Sequence, residues 1–335
     1  MIKTAVVGVG YLGSFHAEKY QRSDKAELCA VVDISKEQAE KVASRLGTKA
    51  LSDYRELPAL GVQCASISAD TMAHFEISSW LLSHGVDVLV EKPIATSSAQ
   101  ARELIDIARQ NGRILQVGHL ERFNPAFRAM QKLLTRPRFF EARRISPFAG
   151  RGHDVDVVLD LMIHDIDIIA HLVGRPLLKV DAVGVPVLTK NVDIANARLT
   201  FEGGAVANVT ASRVSFKSER SVRIFQPDVY ISLDYGNKKL KMYTKSGAVE
   251  PGKMPQIAVE EHNVEERDAL FDQIESFLDC VATRTPPAVS GVDGLRALEL
   301  ADRIRAAFQE SSESFNADEL VLQAAAGFDM ELGNQ

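Results

Sequence analysis

Along the first 120 positions, short apolar runs alternate with amphipathic stretches. "TAVVGVG", "LCAVVD", "CASIS", "DVLVE" and "ILQVG" are rich in Val and Ile, and each stops at a glycine or a polar residue. Runs of this kind predict buried strands. Between them, "SKEQAEKVASRL" and "SSAQARELIDIARQNG" carry a helical pattern. The second opens on a serine cap, Ser97 or Ser98, and closes at Gly112. Regular strand–helix alternation implies right-handed crossovers and a parallel, doubly wound sheet.

The pattern changes after Pro125. A short helix ("AFRAMQKLL"), a strand ("FFEARRIS") and a polar loop ("PFAGRGHDVD") lead to a long helix, "VVLDLMIHDIDIIAHLVG". Further strands run from "KVDAVGVPV" to "KLKMYTK", with hairpin-turn chemistry in "EGG" at 202–204 and "DYGN" at 234–237. Two helical stretches, near 264–282 and 292–309, follow them. The chain therefore reads as α/β. An N-terminal Rossmann domain covers residues 1–120, and an α+β domain with an open, mostly antiparallel sheet covers 121–335.

Composition narrows the class. A chain of 335 residues favours two domains, and 46% hydrophobic with 25% charged residues suits a packed globular protein. A net charge of −6 gives no electrostatic reason to expect a nucleic-acid or anionic-membrane partner. No apolar run approaches the roughly 18 residues of a membrane span. "MIKTAVVGVG" enters a strand directly, without a signal-peptide cleavage site. Cys29, Cys64 and Cys280 are widely spaced, which predicts core thiols in a reducing, cytoplasmic setting, not disulfides or a zinc site.

Candidate chemistry first gathers at Gly8-Val-Gly10-Tyr11-Leu12-Gly13, which follows the first strand and opens a helix. Gly8 permits a tight turn, Gly10 lets a pyrophosphate approach the backbone, and Gly13 allows close helix–strand packing. Asp33 lies 20 positions past Gly13, where a carboxylate can accept both hydroxyls of an adenosine ribose. Ile34 and Ser35 follow, with no arginine to receive a 2′-phosphate, so NAD is expected over NADP.

Glu91-Lys92-Pro93 ends the strand "DVLVE". At the carboxyl end of a parallel strand, Lys92 would face the cofactor crevice, where desolvation and a cationic nicotinamide lower a lysine pKa. A surface lysine in a turn is the plainer alternative. On the long helix, Asp160, His164 and Asp167 fall at i, i+4 and i+7, with His171 extending the face. Side chains two turns apart rarely converge on one metal ion, so no metal is expected. An acid/base histidine oriented by a carboxylate one turn away fits the spacing, and so does a solvated face. Finally, "HLERFNPAF" at 119–127 displays Glu121, Arg122 and Asn124 directly after a buried strand, as substrate contacts or as turn bonds.

Together these motifs resemble the glucose–fructose oxidoreductase / inositol dehydrogenase (Gfo/Idh/MocA) family over nearly the whole chain. The resemblance rests on Gly8–Gly13, Asp33, His74 after the fourth strand, Glu91-Lys92-Pro93, Gly118 and Asp160-x-x-x-His164-x-x-Asp167. It implies a nucleotide-binding domain, a second domain whose open sheet serves a homodimer or tetramer, and NAD(P)-dependent oxidation of a sugar or cyclitol hydroxyl. It also implies Lys92 and His164 as the catalytic pair and Asp160 as a substrate or proton-relay partner. His74 and Glu91 become cofactor contacts, and Lys92–Pro93 a cis peptide. "GHLERFNPAF" with "LDLMIHDIDI" looks most similar to the branch of UDP-N-acetylglucosamine 3-dehydrogenases, which supply 3-keto sugars to an aminotransferase in amino-sugar lipid A synthesis. A dehydrogenase of free sugars or inositol is the alternative; a nucleotide-sensing binding protein with a dead site is the alternative from another class. A nucleotide-linked sugar needs cationic partners for its diphosphate, and Arg122, Arg151, Arg213 and Arg220 flank the expected cleft, with Asn124 nearby. Departures from the family pattern are Asp70-Thr71-Met72 where Thr-Pro is frequent, Met162 where many members have Gly, and "DVDVVLD" where many are glycine-rich.

Overall fold

The computed structural model describes residues 1–148, 155–247 and 255–308. The first sheet contains β1 (Ile2–Val7), β2 (Ala26–Val32), β3 (Lys49–Leu51), β4 (Cys64–Ile67), β5 (Asp87–Glu91) and β6 (Leu115–Gly118). Their order is β3-β2-β1-β4-β5-β6, and every pairing is parallel. The crossovers use α1 (Tyr11–Arg22), α2 (Lys36–Leu46), α3 (Thr71–Ser83) and α4 (Ser98–Gln110). Ser97 caps α4, its side chain accepting from Gln100 N at 3.3 Å. Thr4 to Val7 of β1 are all buried, and their side chains alternate between the two faces of the sheet. Ala5 and Val7 pack with Leu81 and Leu82 of α3; Val6 packs with Ala17 and Tyr20 of α1.

A tight turn at Leu120–Phe123 and α5 (Pro125–Gln131) lead out of this sheet. The second sheet contains β7 (Phe139–Ile145), β8 (Leu177–Val185), β9 (Ile194–Phe201), β10 (Val206–Ser212), β11 (Glu219–Gln226), β12 (Val229–Asp234), β13 (Lys239–Ser246) and β14 (Gln256–His262). The order is β14-β13-β12-β11-β7-β10-β9-β8. β7 and β10 run parallel, and the other neighbours are antiparallel. One face is apolar: Ala195, Ala197, Leu199 and Phe201 are buried and share a cluster with Ile166 and Ile169 of α6 (Ile163–Val173). Across the other face runs a row of rings, Phe139, Phe225, Tyr230 and Tyr243, with successive centroids 5.5, 4.8 and 4.9 Å apart.

One helix lies where the sequence pattern did not put it. The stretch 264–282 reads as part of the second domain, yet α7 (Ala269–Thr283) packs Ile274, Phe277 and Leu278 against Val6, Cys64 and Leu89 of the first sheet. The reason is burial. Every residue of β4, β5 and β6 is inaccessible, so the face holding Leu89 needs an apolar cover. Helical residues 291–308 (α8) pack instead with the opposite face, where Leu295 and Leu298 share a cluster with Val88, Leu115 and Val117. Gly291 and Gly294 sit so close to Leu115 and Val117 of β6 that a Cβ would come within 2.9 and 2.7 Å of those side chains.

Candidate active site between the two sheets

The strand order reverses at β1, between β2 and β4, which makes a crevice beyond the carboxyl ends of the strands. Gly8 sits there at φ +81°, and a Cβ would meet Ala69 N at 2.5 Å. A Cβ at Gly13 would overlap the Gly8 carbonyl. At Gly10 a Cβ would meet nothing within 4 Å, so the protein's own packing does not demand this glycine. The open space in front of it is what a pyrophosphate would fill. Asp33 Oδ2 accepts from Val9 N at 2.9 Å and Oδ1 from Ser35 N at 2.9 Å. Each oxygen keeps a lone pair for a ribose hydroxyl. A cavity of about 600 Å³ opens beside them, lined by Gly8, Gly10, Asp33, Ile34, Arg55 and Glu76 among others. Tyr11 and Leu12 form the exposed first turn of α1. These residues fit a dinucleotide.

Arg55 corrects an expectation. The pocket was expected to hold no arginine, because none follows Asp33; Arg55 arrives instead from the turn after β3. Its Nη2 donates to Glu76 Oε1 at 3.0 Å.

The Lys92–Pro93 peptide is cis. Lys92 Nζ donates to the Asp160 carbonyl at 2.8 Å and lies 3.9 Å from Asp160 Oδ1. This contact joins the end of β5 to the start of the long helix, across the crevice. A wide π turn over Val158–Met162 precedes α6, so the side chains do not keep the simple i, i+4, i+7 phase that the spacing assumed. His164 is partly exposed, but its Nδ1 is buried without a hydrogen-bond partner among the described residues. Among the described residues, the orienting carboxylate expected one turn away is therefore missing at that nitrogen. Burial pushes the His164 pKa well below 6.5, and the charges of Lys92, Arg144 and Arg220 push the same way. A neutral imidazole opposite a lysine can take a proton from a hydroxyl whose oxygen the ammonium holds.

A family profile described as "Oxidoreductase family, NAD-binding Rossmann fold" matches residues 2–119, and the GFO/IDH/MocA C-terminal domain profile matches residues 134–229. The chain belongs to the GFO/IDH/MocA family. It is an NAD-dependent oxidoreductase of that family, and the family resemblance read from the motifs holds. A UDP-N-acetylglucosamine 3-dehydrogenase of Acidithiobacillus ferrooxidans is 38% identical over 92% of this chain and 97% of the relative. Its solved structure superposes with a TM-score of 0.85, covering 91% of this chain and 97% of that one. A scyllo-inositol 2-dehydrogenase (NAD(+)) of Bacillus subtilis is 26% identical over 89% of this chain and 92% of the relative. GenD2 from gentamicin A biosynthesis, solved in complex with NAD, shares the fold at a TM-score of 0.79 and 19% identity, covering 92% of this chain and 95% of that one.

Within this GFO/IDH/MocA site, several expected ligand contacts are structural. His74 has its Nδ1 2.9 Å from Pro93 O and its Nε2 2.9 Å from Ala69 O, so both ring nitrogens are engaged inside the protein. Glu91 points inward, 3.1 Å from His16 Nε2, and accepts from Lys92 N at 3.3 Å. Burial opposes its charge, but His16 and Lys92 outweigh burial and hold the pKa below the usual range. Gly118 makes room for this carboxylate: a Cβ there would lie 2.6 Å from Glu91 Cδ. Glu91 thus positions Lys92 without facing the pocket.

The polar turn "HLERFNPAF" resolves the same way. Arg122 makes two bonds to Asp167, 2.7 and 2.8 Å long. Arg144 grips Asp165 at 2.9 and 3.0 Å and Glu121 at 3.0 Å. Asn124 caps α5, accepting from Ala126 N at 2.9 Å, and donates to Glu121 at 3.0 Å. Arg213 is buried against Asp193 at 2.9 Å and Val155 O at 2.9 Å. Arg122 and Arg213 are therefore withdrawn from the set of phosphate contacts. Arg151 lies outside the described residues. Arg220 is exposed and close enough to act electrostatically on His164. Asp167 and His171 also leave the chemical face: Asp167 turns to Arg122, and His171 Nε2 lies 3.1 Å from Gln131 Nε2.

The motif reading missed His16, His119 and Arg144. His16 had a signal, being a lone polar residue on the buried Gly13–Ala17–Tyr20 face of α1. His119 is 1% exposed, neither ring nitrogen has a hydrogen-bond partner among the described residues, and Nδ1 is 3.9 Å from Asp167 Oδ2.

Proposed function

We propose that this oxidoreductase converts the 3-hydroxyl of UDP-N-acetylglucosamine to a ketone. Bound NAD⁺ supplies the hydride acceptor. His164 takes the hydroxyl proton, Lys92 holds the oxygen and stabilises its developing charge, and Asp160 fixes Lys92. The observation that supports the reading is the 2.8 Å bond from Lys92 to the Asp160 carbonyl, with the Lys92 charge near enough to help depress the His164 pKa. Support for the substrate comes from the 38% identical relative named for it, and from Arg220, whose exposed guanidinium near His164 suits a diphosphate. The 3-keto product would pass to an aminotransferase in amino-sugar lipid A synthesis. We further assign residues 1–120 plus α7 to nucleotide binding and most of the remainder to the sugar.

The partly exposed row of rings on the second sheet supports its use as a homo-oligomer interface. No helix among the described residues is long and apolar enough to cross a membrane, and three free cysteines fit a reducing cytoplasm. The test mixes purified protein and NAD⁺ with UDP-N-acetylglucosamine, free N-acetylglucosamine or myo-inositol, and follows absorbance of the reduced cofactor. Reduction with the UDP conjugate alone is expected. Equal rates with the free sugar would overturn the nucleotide-sugar reading, and a response to inositol alone would favour the cyclitol alternative suggested by the inositol-named relative.

A further inference from the structure

The nucleotide pocket presents a guanidinium although it serves NAD. Arg55 shares the cavity with Asp33 and Ile34, on the side where an adenosine ribose would lie. A free arginine there would be suited to a 2′-phosphate, because its planar fork matches phosphate oxygens. Arg55 is not free. Its Nη2 donates to Glu76 Oε1 at 3.0 Å, and Nη1 is 3.5 Å from Asp53 Oδ1. Its guanidinium carbon lies 4.7 Å from the Tyr54 ring centroid.

Glu76, on α3, gathers a second donor as well. Tyr54 OH donates to the same Oε1 at 3.0 Å. Burial first, then Glu76, pushes this phenol up to about 12, so it stays a donor. Tyr54 is backed edge-on by Trp80, 5.7 Å between centroids. The cavity wall therefore sets four carboxylates, Asp33, Asp53, Asp70 and Glu76, against one guanidinium. A phosphate entering this wall meets net negative charge, and the cation that could answer it is already engaged.

We propose that Glu76 is a specificity-determining residue for the cofactor. By occupying Arg55 it keeps the pocket selective for a dinucleotide with a free 2′-hydroxyl. Asp33 repels the phosphate at the ribose, and Glu76 withholds the cation that would otherwise compensate. The two act separately, so their removal should add.

The experiment is titration of NAD⁺ and NADP⁺ into the whole protein, followed by calorimetry and by fluorescence of Trp80, the single tryptophan. The variants are Glu76→Gln, Asp33→Ser, the double variant, and Glu76→Gln combined with Arg55→Gln. Glu76→Gln should shift the ratio of the two dissociation constants toward NADP⁺ by about threefold to tenfold, in the wild-type and the Asp33→Ser backgrounds alike. Adding Arg55→Gln should abolish the shift. An unchanged ratio in both backgrounds would overturn the proposal, as would a shift that persists without Arg55 or equal weakening of both cofactors. No sugar enters the measurement, so its outcome is independent of the substrate assignment.

Discussion

Replacing Arg122 with Met tests whether the polar turn serves stability or substrate. The Arg122 and Asp167 side chains are only 6% and 2% exposed, and two short bonds join them. Without the guanidinium, Asp167 is left buried with His119 Nδ1 at 3.9 Å, itself a histidine held neutral by burial. Breaking one partner of such a pair costs about 3–5 kcal/mol. A chain of this length loses about 2 °C per kcal/mol, so thermal unfolding followed by circular dichroism should shift down by roughly 5–10 °C. Asp167→Leu on its own should cost a similar amount, by stranding the arginine. The Arg122→Met/Asp167→Leu pair should recover most of the loss, because the apolar pair removes both fully buried charges, and Asp293, 3.7 Å from Arg122, keeps its bonds from Ser290 N and Oγ. KM for the sugar substrate should change little in the surviving protein. A large rise in KM at unaltered stability would refute the argument and return Arg122 to the substrate.

Further outcomes follow from the same geometry. Lys92→Met and His164→Ala should each lower turnover by about 10²–10⁴-fold while NAD⁺ binding, measured by calorimetry, survives; near-normal turnover in both would remove them from the chemistry. Because the His164 pKa is depressed, the ring is proton-free above that pKa, and the acid limb of the kcat/KM profile should lie below pH 6.5; a limb at or above 6.5 contradicts a desolvated imidazole. His119 and His74 are also depressed, so the unfolded chain binds more protons than the folded one as pH falls below 6.5, and stability should drop there. His119→Phe should flatten that slope in urea melts; an unchanged slope would mean His119 does not contribute to it.

The glycine loop, Asp33 and the parallel sheet were legible because their physics is local. A turn demands Gly8, and a strand's period shows within a few residues. The cis Lys92–Pro93 peptide likewise agrees with the family resemblance. What was illegible is long-range. Arg122 reads as a displayed charge, and nothing nearby reveals a carboxylate 45 positions on that neutralises it. Arg55 reaches Asp33's cavity only because β3 ends beside β2. β14, "QIAVEEH", shows no buried alternation, since six of its seven residues are exposed on a sheet edge; only pairing with β13 makes it a strand. β3 is three residues long, too short to carry a period.

The position of α7 also bears on how the protein is made. A ribosome releases the six strands of the first sheet within the first 118 residues, but the helix that seals Leu89 and Cys64 begins at Ala269. For the time needed to translate about 150 intervening residues, at roughly 5–20 residues per second, the nascent sheet lacks α7's share of the cover over one face. That window lasts on the order of ten seconds or more, ample for an apolar surface to meet another nascent chain or a chaperone. The nucleotide-binding unit is thus contiguous in function and discontinuous in birth. A fragment ending near residue 120 would keep the glycine loop while leaving Val6, Cys64 and Leu89 without their cover from Phe277.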